Sequence, residues 1–204
     1  MYVALFVIGL SLVLHGHPAG DAAPAKVIAY YRGHAHRMRI DIGWLLLLIG
    51  VFFFTWFVAA LRESVRRLVG DGLLATVTLI GGTAYAALTL VSASVGTAIF
   101  TMSDDTYQHQ VYPELIHAAN DALYVLHSAG GAAIGAMIVA ASLAARAARA
   151  IPAWLGWLSV LAGIVAIFSI FFIPWLVVAV WIVVASVLVW RSLGPTAAAS
   201  SPLP

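Results

Sequence analysis

Long apolar runs alternate with short polar segments along the whole chain, and this alternation is the strongest structural signal in the sequence. A transmembrane helix needs about 20 mainly apolar residues. The longest apolar run, residues 153–190, exceeds one span, and Pro174 near its middle divides it into two helices. The pattern therefore predicts six spans, at about residues 2–15, 43–61, 73–100, 114–144, 154–171 and 175–190.

The first apolar run is short for a span and falls within the length of a signal-peptide core. It lacks the basic leader that a signal peptide usually carries. We therefore expect a first helix with a truncated or mis-assigned start.

Residues 24–40 follow a helical rather than a continuous apolar pattern. One predicted face is largely apolar and the other basic. The apolar face carries Val27, Tyr30, Tyr31, His34 and Met38, and the other carries Arg32, His36 and Arg39. Such a segment is typical of an amphipathic helix at the membrane interface. Its basic residues indicate either binding of anionic lipid headgroups or an ordinary interfacial helix.

Composition agrees with a membrane protein, because 63% of the 204 residues are hydrophobic and only 9% are charged. Soluble domains have about 25% charged residues. The predicted fold is an all-α, polytopic helical bundle of about six transmembrane helices plus one outer interfacial helix. It forms a single domain over residues 1–193, and residues 194–204 are a flexible cytoplasmic tail. The scattered basic residues argue against nucleic acid as a partner, and the chain has no cysteine.

The distribution of basic residues predicts orientation. With both termini in the cytoplasm, six arginines lie inside and four basic residues outside. The inner set is Arg62, Arg66, Arg67, Arg146, Arg149 and Arg191, and the outer set is Lys26, Arg32, Arg37 and Arg39. This bias favours a multi-pass protein of a bacterial plasma membrane.

Two spans carry polar and small residues along one helix face. The stripe of span 114–144 comprises Glu114, His117, Asp121, Tyr124, Ser128, Gly131, Gly135 and Ser142, and that of span 73–100 comprises Thr78, Gly82, Tyr85, Thr89, Ser92 and Gly96. Small residues let transmembrane helices approach closely. We therefore expect the two spans to interlock along these faces; a substrate groove between them is the alternative.

Histidines and carboxylates concentrate in the outer half of the predicted topology, a ligand set suited to zinc, copper, nickel or iron. Glu114, His117 and Asp121 are the catalytic candidates, and the metal candidates add the three histidines His15, His17 and His34. The apolar face of residues 24–40 predicts that the rings of His34 and His117 lie about 4 to 5 Å apart around a metal site. Otherwise these residues solvate the headgroup region. No cofactor is predicted if these residues solvate the headgroups, and a divalent metal is predicted if they form the site.

Asp121 and His127 are the deepest titratable groups of the outer half. A buried acid could serve a proton relay or a lyase or cyclase acting on an isoprenoid lipid. A simpler expectation is that Asp121 accepts a hydrogen bond from Ser92 or Ser94. The predicted ligand-binding residues of the outer half are His34, Tyr124, His127 and Ser92.

Several catalytic classes lack support. Glu114 and His117 have the Glu-x-x-His spacing of di-iron bundles, but Glu63 is the only other glutamate and lies on the opposite side of the membrane. Phosphate-binding loops, Gly-x-Ser-x-Gly and His-Glu-x-x-His are absent from the sequence.

Five segments together resemble a group of uncharacterised multi-span membrane proteins of actinobacteria, of the domain-of-unknown-function type. They are the short first helix, VIAYYRGHAHRMRI, FVAALRESVRRLVGDG, ANDALYVL and IPAWLGWLSVLAGI. The resemblance implies a multi-span helical fold, and it assigns no catalytic residue.

The sequence favours a non-catalytic protein that binds a lipid, a small hydrophobic molecule or a partner membrane subunit in its outer half. The alternative is a membrane-embedded enzyme or metal-binding protein that uses the outer histidines and carboxylates. A proton-coupled carrier is a weaker alternative, because only Pro174 interrupts a span.

Overall fold

The computed structural model describes residues 1–19, 22–102, 111–171 and 173–193. Within these ranges the chain is helical and forms no strand, so the predicted all-α membrane fold is confirmed. The helices, in order, are α1 Tyr2–Leu14, α2 Pro24–Arg32, α3 His34–Val69, α4 Leu73–Met102, α5 Pro113–Ala147, α6 Ala153–Ala166 and α7 Ile173–Leu193. The predicted tail at 194–204 and most of the acidic loop, 103–110, lie outside the described residues.

Four helices are long and apolar enough to cross a membrane, over His34–Val69, Leu73–Ile99, Pro113–Ala147 and Ile173–Arg191. The other two predicted spans are apolar but short. With 13 residues in α1 and 14 in α6, each covers roughly 20 Å at 1.5 Å per residue, less than the hydrocarbon thickness of about 30 Å.

Pro174 marks the start of the last span, as predicted. It is the second residue of α7, where its missing N–H leaves no intrahelical bond unmade. The preceding helix ends earlier than expected, at Ala166 rather than near residue 171. A turn and the short 3₁₀ helix Ser169–Phe171 connect α6 to α7.

The amphipathic segment is not one helix. It breaks at Gly33, whose extended backbone ends α2, and residues 34–40 belong to α3. Val27, Tyr30 and Tyr31 are buried as predicted. The break changes the helical register beyond it, so the predicted inward positions of His34 and Met38 are wrong: both side chains are exposed.

The chain forms two compact units, to which α3, α4 and α5 each contribute. The first combines residues 1–53 and 87–127, and in it glycines bring helices together. An added Cβ at Gly9 would lie 2.8 Å from the Gly43 carbonyl oxygen, and one at Gly43 would lie 2.8 Å from that of Gly9. The backbones of α1 and α3 therefore touch. Gly96 of α4 similarly accommodates the ring of Trp44.

The second unit combines residues 54–86 with residues from 128 onwards. Its core contains three aromatic side chains, with ring centroids 5.0 Å apart for Phe54 and Tyr85 and 5.7 Å apart for Tyr85 and Trp175. All three are buried. Such tilted and edge-on ring pairs stabilise a core beyond the area they bury.

The stripe on α4 is buried as predicted, except at half-buried Thr89, but its glycines do not have the glycines of the α5 stripe as nearest neighbours. Gly96 faces α3, and Gly82 meets Val58 of α3 as well as Met137 of α5. The close approach of α4 to α5 occurs one residue off the stripe, at Gly81, where an added Cβ would lie 2.6 Å from the Ala133 carbonyl oxygen.

The stripe on α5 divides along its length. Gly131, Gly135 and Ser142 are buried, and both glycines pack against residues 163–169. Glu114 and Asp121 at the other end are exposed.

Candidate functional site

The structure does not gather the predicted catalytic and metal residues into a site. Glu114, Asp121, Tyr124 and His34 are exposed, and His117 is half-buried. Among the described residues, no group of three or more histidine or acidic side chains is placed to hold a metal ion. Asp21, Asp104, Asp105 and His109, also predicted in the outer half, lie outside the described residues. The metal hypothesis stays a prediction.

Ser92, Ser94 and His127 bond to the backbone of their own helices. The Ser92 hydroxyl donates to the Leu88 carbonyl at 2.9 Å, and the Ser94 hydroxyl donates to that of Leu90 at 3.0 Å. The His127 Nδ1 donates to the Leu123 carbonyl at 2.8 Å. Both serine protons are thus used within α4, and the expected bond from either serine to Asp121 is not formed.

His17 begins a directed chain of hydrogen bonds in the first unit. Its Nδ1 lies 2.8 Å from the Pro18 carbonyl oxygen, and its Nε2 lies 3.0 Å from the Tyr31 hydroxyl. A carbonyl only accepts, so Nδ1 carries the proton and neutral Nε2 accepts from Tyr31. The Tyr31 hydroxyl in turn accepts from the Asn120 amide. We call His17, Tyr31 and Asn120 the histidine relay.

Burial sets the protonation of this relay. It lowers the pKa of His17, an effect that the bond to Pro18 partly offsets. Burial, with a smaller contribution from neighbouring Tyr30, raises the pKa of Tyr31 to about 12, while the Asn120 bond acts in the opposite direction. Both shifts favour the neutral forms that the hydrogen-bond directions require.

Tyr30 and Arg39 hold the backbone next to the relay. The Tyr30 hydroxyl donates to the His15 carbonyl at 3.3 Å and accepts from the Arg39 guanidinium at 3.2 Å. Arg39 also donates to that carbonyl, whereas the His15 side chain is exposed. The His36 ring stacks on Tyr30 with centroids 4.6 Å apart, so His36 does not point away as predicted. These contacts hold the backbone at the end of α1 against α2 and the start of α3.

A cavity of about 350 Å³ lies in the second unit. Its walls come from the carboxyl-terminal parts of α3, α5 and α7 and from the segment that leads into α6. Most of its surface is aliphatic, supplied by side chains such as Leu61, Val65, Ile151, Leu155 and Leu188. Small residues at Ala141, Ala145 and Ala185 leave the space open. The sequence interpretation missed this cavity.

Few of the described residues that line the cavity are polar, and none of them is an acid or a histidine. They are Ser64, Ser142, Ser159, Trp181 and Arg191. Ser142 donates to the Ile138 carbonyl at 2.6 Å, and Ser64 has a polar or electrostatic partner of its own. Ser159, Trp181 and Arg191 make no hydrogen bond or ion pair with the part of the chain that the structure describes. The cavity therefore offers donors but no negative charge.

Four neighbouring arginines have partners, whereas Arg149 and Arg191 have none among the described residues. Arg62 pairs with Asp71 at 2.8 Å, and Arg66 and Arg67 pair with Glu63 at 2.8 and 3.0 Å. The Arg146 guanidinium stacks 4.0 Å from the centre of the Trp157 ring. In sequence, the six arginines share one predicted role, which is to set the orientation. Of the two without a partner, only Arg191 lines the cavity.

Comparison of the chain with protein-family models, with curated proteins and with solved structures gives no match.

Proposed function

We propose that this membrane protein binds a hydrophobic ligand, a lipid chain or a small apolar molecule, in the cavity of the second unit. The cavity itself carries this proposal. Ligand pockets in proteins are concave, mainly apolar and about 300 to 1,000 Å³ in volume, with few polar groups. The volume and the aliphatic lining of this cavity meet that description.

The chemistry of the lining favours binding over catalysis. General acid–base chemistry needs a titratable group near the reacting atoms, most often histidine or a carboxylate. The cavity presents serine, tryptophan and arginine instead. The proposed binding site therefore lies at the arginine-rich ends of the spans and not at the outer histidines and carboxylates, where the sequence predicts it.

The positions of the arginines support both a membrane and an orientation in it. We propose a bacterial plasma membrane with both termini in the cytoplasm, because the six arginines at these helix ends then lie inside. In this orientation the cavity lies toward the cytoplasmic leaflet, from which a lipid could enter.

Filling the cavity tests the proposal. Ala145 and Ala185 line the space, so Ala145→Phe and Ala185→Phe occupy it with an aromatic ring. Exposed Ala147 lies on the same helix as Ala145 outside the lining, so Ala147→Phe is the matched control. Mass spectrometry of lipids and small molecules retained by each purified protein measures occupancy.

We expect several-fold less retained ligand in the two cavity variants and a wild-type amount in the control. Thermal unfolding in detergent verifies that all variants remain folded. Equal ligand content in folded cavity variants, control and wild type would show that the cavity is not the binding site.

A further inference from the structure

We infer that the ligand of this cavity is a long-chain carboxylate, with its headgroup on Arg191 and its chain among the aliphatic side chains. The inference rests on the proposed function and adds the class of ligand. It starts from exposed Arg191, the one cation among the described residues of the lining. A ligand with a negative headgroup would supply the partner that the described residues do not.

Two further donors complement this charge. The Ser159 hydroxyl and the Trp181 indole N–H also line the cavity without a hydrogen bond to the described residues. An indole N–H only donates, and an arginine only donates. A carboxylate only accepts and offers about four lone-pair positions, so its bonding capacity matches these groups. A neutral alcohol could accept fewer of these bonds and would leave the guanidinium charge unpaired.

The other features of the cavity favour a ligand with one negative charge and one hydrocarbon chain. Among the residues that the structure describes, the lining contains no second cation and no carboxylate, so a monoanion balances the charge of these residues. A volume of about 350 Å³ lies near the lower end of the range for small-molecule pockets, about 300 to 1,000 Å³. That size favours a single hydrocarbon chain over a lipid with two.

Arg191 is suited to binding the headgroup because a guanidinium donates two parallel N–H hydrogen bonds to a carboxylate. It stands near the carboxyl-terminal end of α7, beside Leu188 and Val189, which also line the cavity. A headgroup on Arg191 therefore leaves the chain in contact with the aliphatic wall.

Photo-crosslinking tests both the ligand class and its position. The probe is palmitate with a diazirine in its chain, added to the full-length protein in nanodiscs at a pH where the carboxylate is ionised. Mass spectrometry of digested protein identifies the labelled peptides. Unlabelled palmitate, cetyl alcohol and cetyl phosphate compete with the probe. Arg191→Gln removes the charge, Arg191→Lys keeps it, and Arg149→Gln changes an exposed arginine outside the lining.

We expect labelling of the α7 segment around Trp181 to Leu188, and competition by palmitate at concentrations about tenfold lower than by cetyl alcohol. Arg191→Gln should abolish this preference, Arg191→Lys should retain most of it, and Arg149→Gln should leave it unchanged. Equal competition by acid and alcohol in the wild type would overturn the carboxylate inference and leave hydrophobic binding intact. Clear preference for cetyl phosphate would also overturn it. Labelling confined to peptides outside the cavity would refute both proposals.

Discussion

Two adjacent glycines of α5 offer a matched test of the packing in the second unit. An added Cβ at Gly131 would lie 2.3 Å from the Ala166 carbonyl oxygen and far inside contact distance of the Ser169 hydroxyl. An added Cβ at Gly130 would lie 3.4 Å from the Tyr85 ring, which is ordinary van der Waals contact. An added methyl group therefore clashes with a backbone atom at Gly131 but makes an ordinary contact at Gly130.

The expected energies follow from two opposing effects. Overpacking a close contact costs about 1 to 3 kcal/mol, whereas replacing glycine by alanine within a helix gains about 0.5 to 1 kcal/mol. The gain is common to both positions and cancels in their difference. Gly131→Ala should therefore be less stable than Gly130→Ala by about 1 to 3 kcal/mol, and Gly130→Ala should equal or exceed the wild type.

Reversible unfolding in mixed detergent, followed by circular dichroism, measures this difference. Removing the Ser169 side chain refines the test, because Ser169→Gly relieves the contact with the hydroxyl but not that with the Ala166 carbonyl. We compare two losses of stability: that caused by Gly131→Ala in the wild type and that caused by Gly131→Ala in the Ser169→Gly variant. The second loss should be smaller than the first but should not be zero. Equal stability of the Gly130 and Gly131 variants would refute close packing between α5 and the Ala166–Ser169 segment.

Three further predictions concern the first unit and the topology. Acidification should destabilise the protein through His17, because the pKa of His17 is lower in the folded state than in the unfolded state. Below about pH 6.5 the unfolded state therefore binds more protons than the folded state. The free energy of unfolding should decrease as the pH falls from about 6.5 to the folded-state pKa. The loss of melting temperature between neutral and acidic buffer should be smaller in His17→Gln, and an unchanged loss would contradict this role. Tyr31→Phe should cost about 1 to 3 kcal/mol in the same unfolding assay, because it removes a partner from both His17 and Asn120, while Phe in place of exposed Tyr112 should have little effect. With an impermeant maleimide, a single cysteine at exposed Glu114 should react in intact cells, whereas one at exposed Ala148 should react only after the membrane is permeabilised; the chain has no other thiol. Labelling of both in intact cells would contradict the orientation.

Apolar run lengths were sufficient to predict the helices, because bilayer thickness couples hydrophobic length to helix length. Pro174 predicted the start of α7 because proline has no backbone N–H, and the first turn of a helix does not need one. The break at Gly33 was not predicted. Residues 24–40 keep an acceptable helical period across it, and glycine lowers helix propensity only modestly. The error placed His34 on a buried face and supported a metal site that required it there.

The partners of each helix face were harder to predict than the faces themselves. A stripe of small residues shows that a close neighbour exists but not which helix supplies it. Gly96 of α4 accommodates Trp44 of α3, for example, rather than a residue of the α5 stripe. The cavity was missed for a related reason. Ala141, Ala145 and Ala185 look like ordinary packing residues in sequence, and only their common environment leaves a space between them.

Residue type and hydrogen-bond state lead to different conclusions about function in this protein. The histidine relay contains the residue types that chemistry most often uses, yet its three side chains bond to one another and to Pro18 in one consistent direction. Such groups have little capacity left for a ligand, so their substitution should reduce stability. Ser159, Trp181 and Arg191 attract no attention in the sequence, but they face a mainly aliphatic space with donors that no described residue accepts from. Arg191 is exposed and Ser159 and Trp181 are half-buried, so an anionic ligand would give these donors an acceptor beside the apolar wall. Substitution at these positions should therefore reduce ligand binding more than stability, which is the opposite pattern to that expected for the relay.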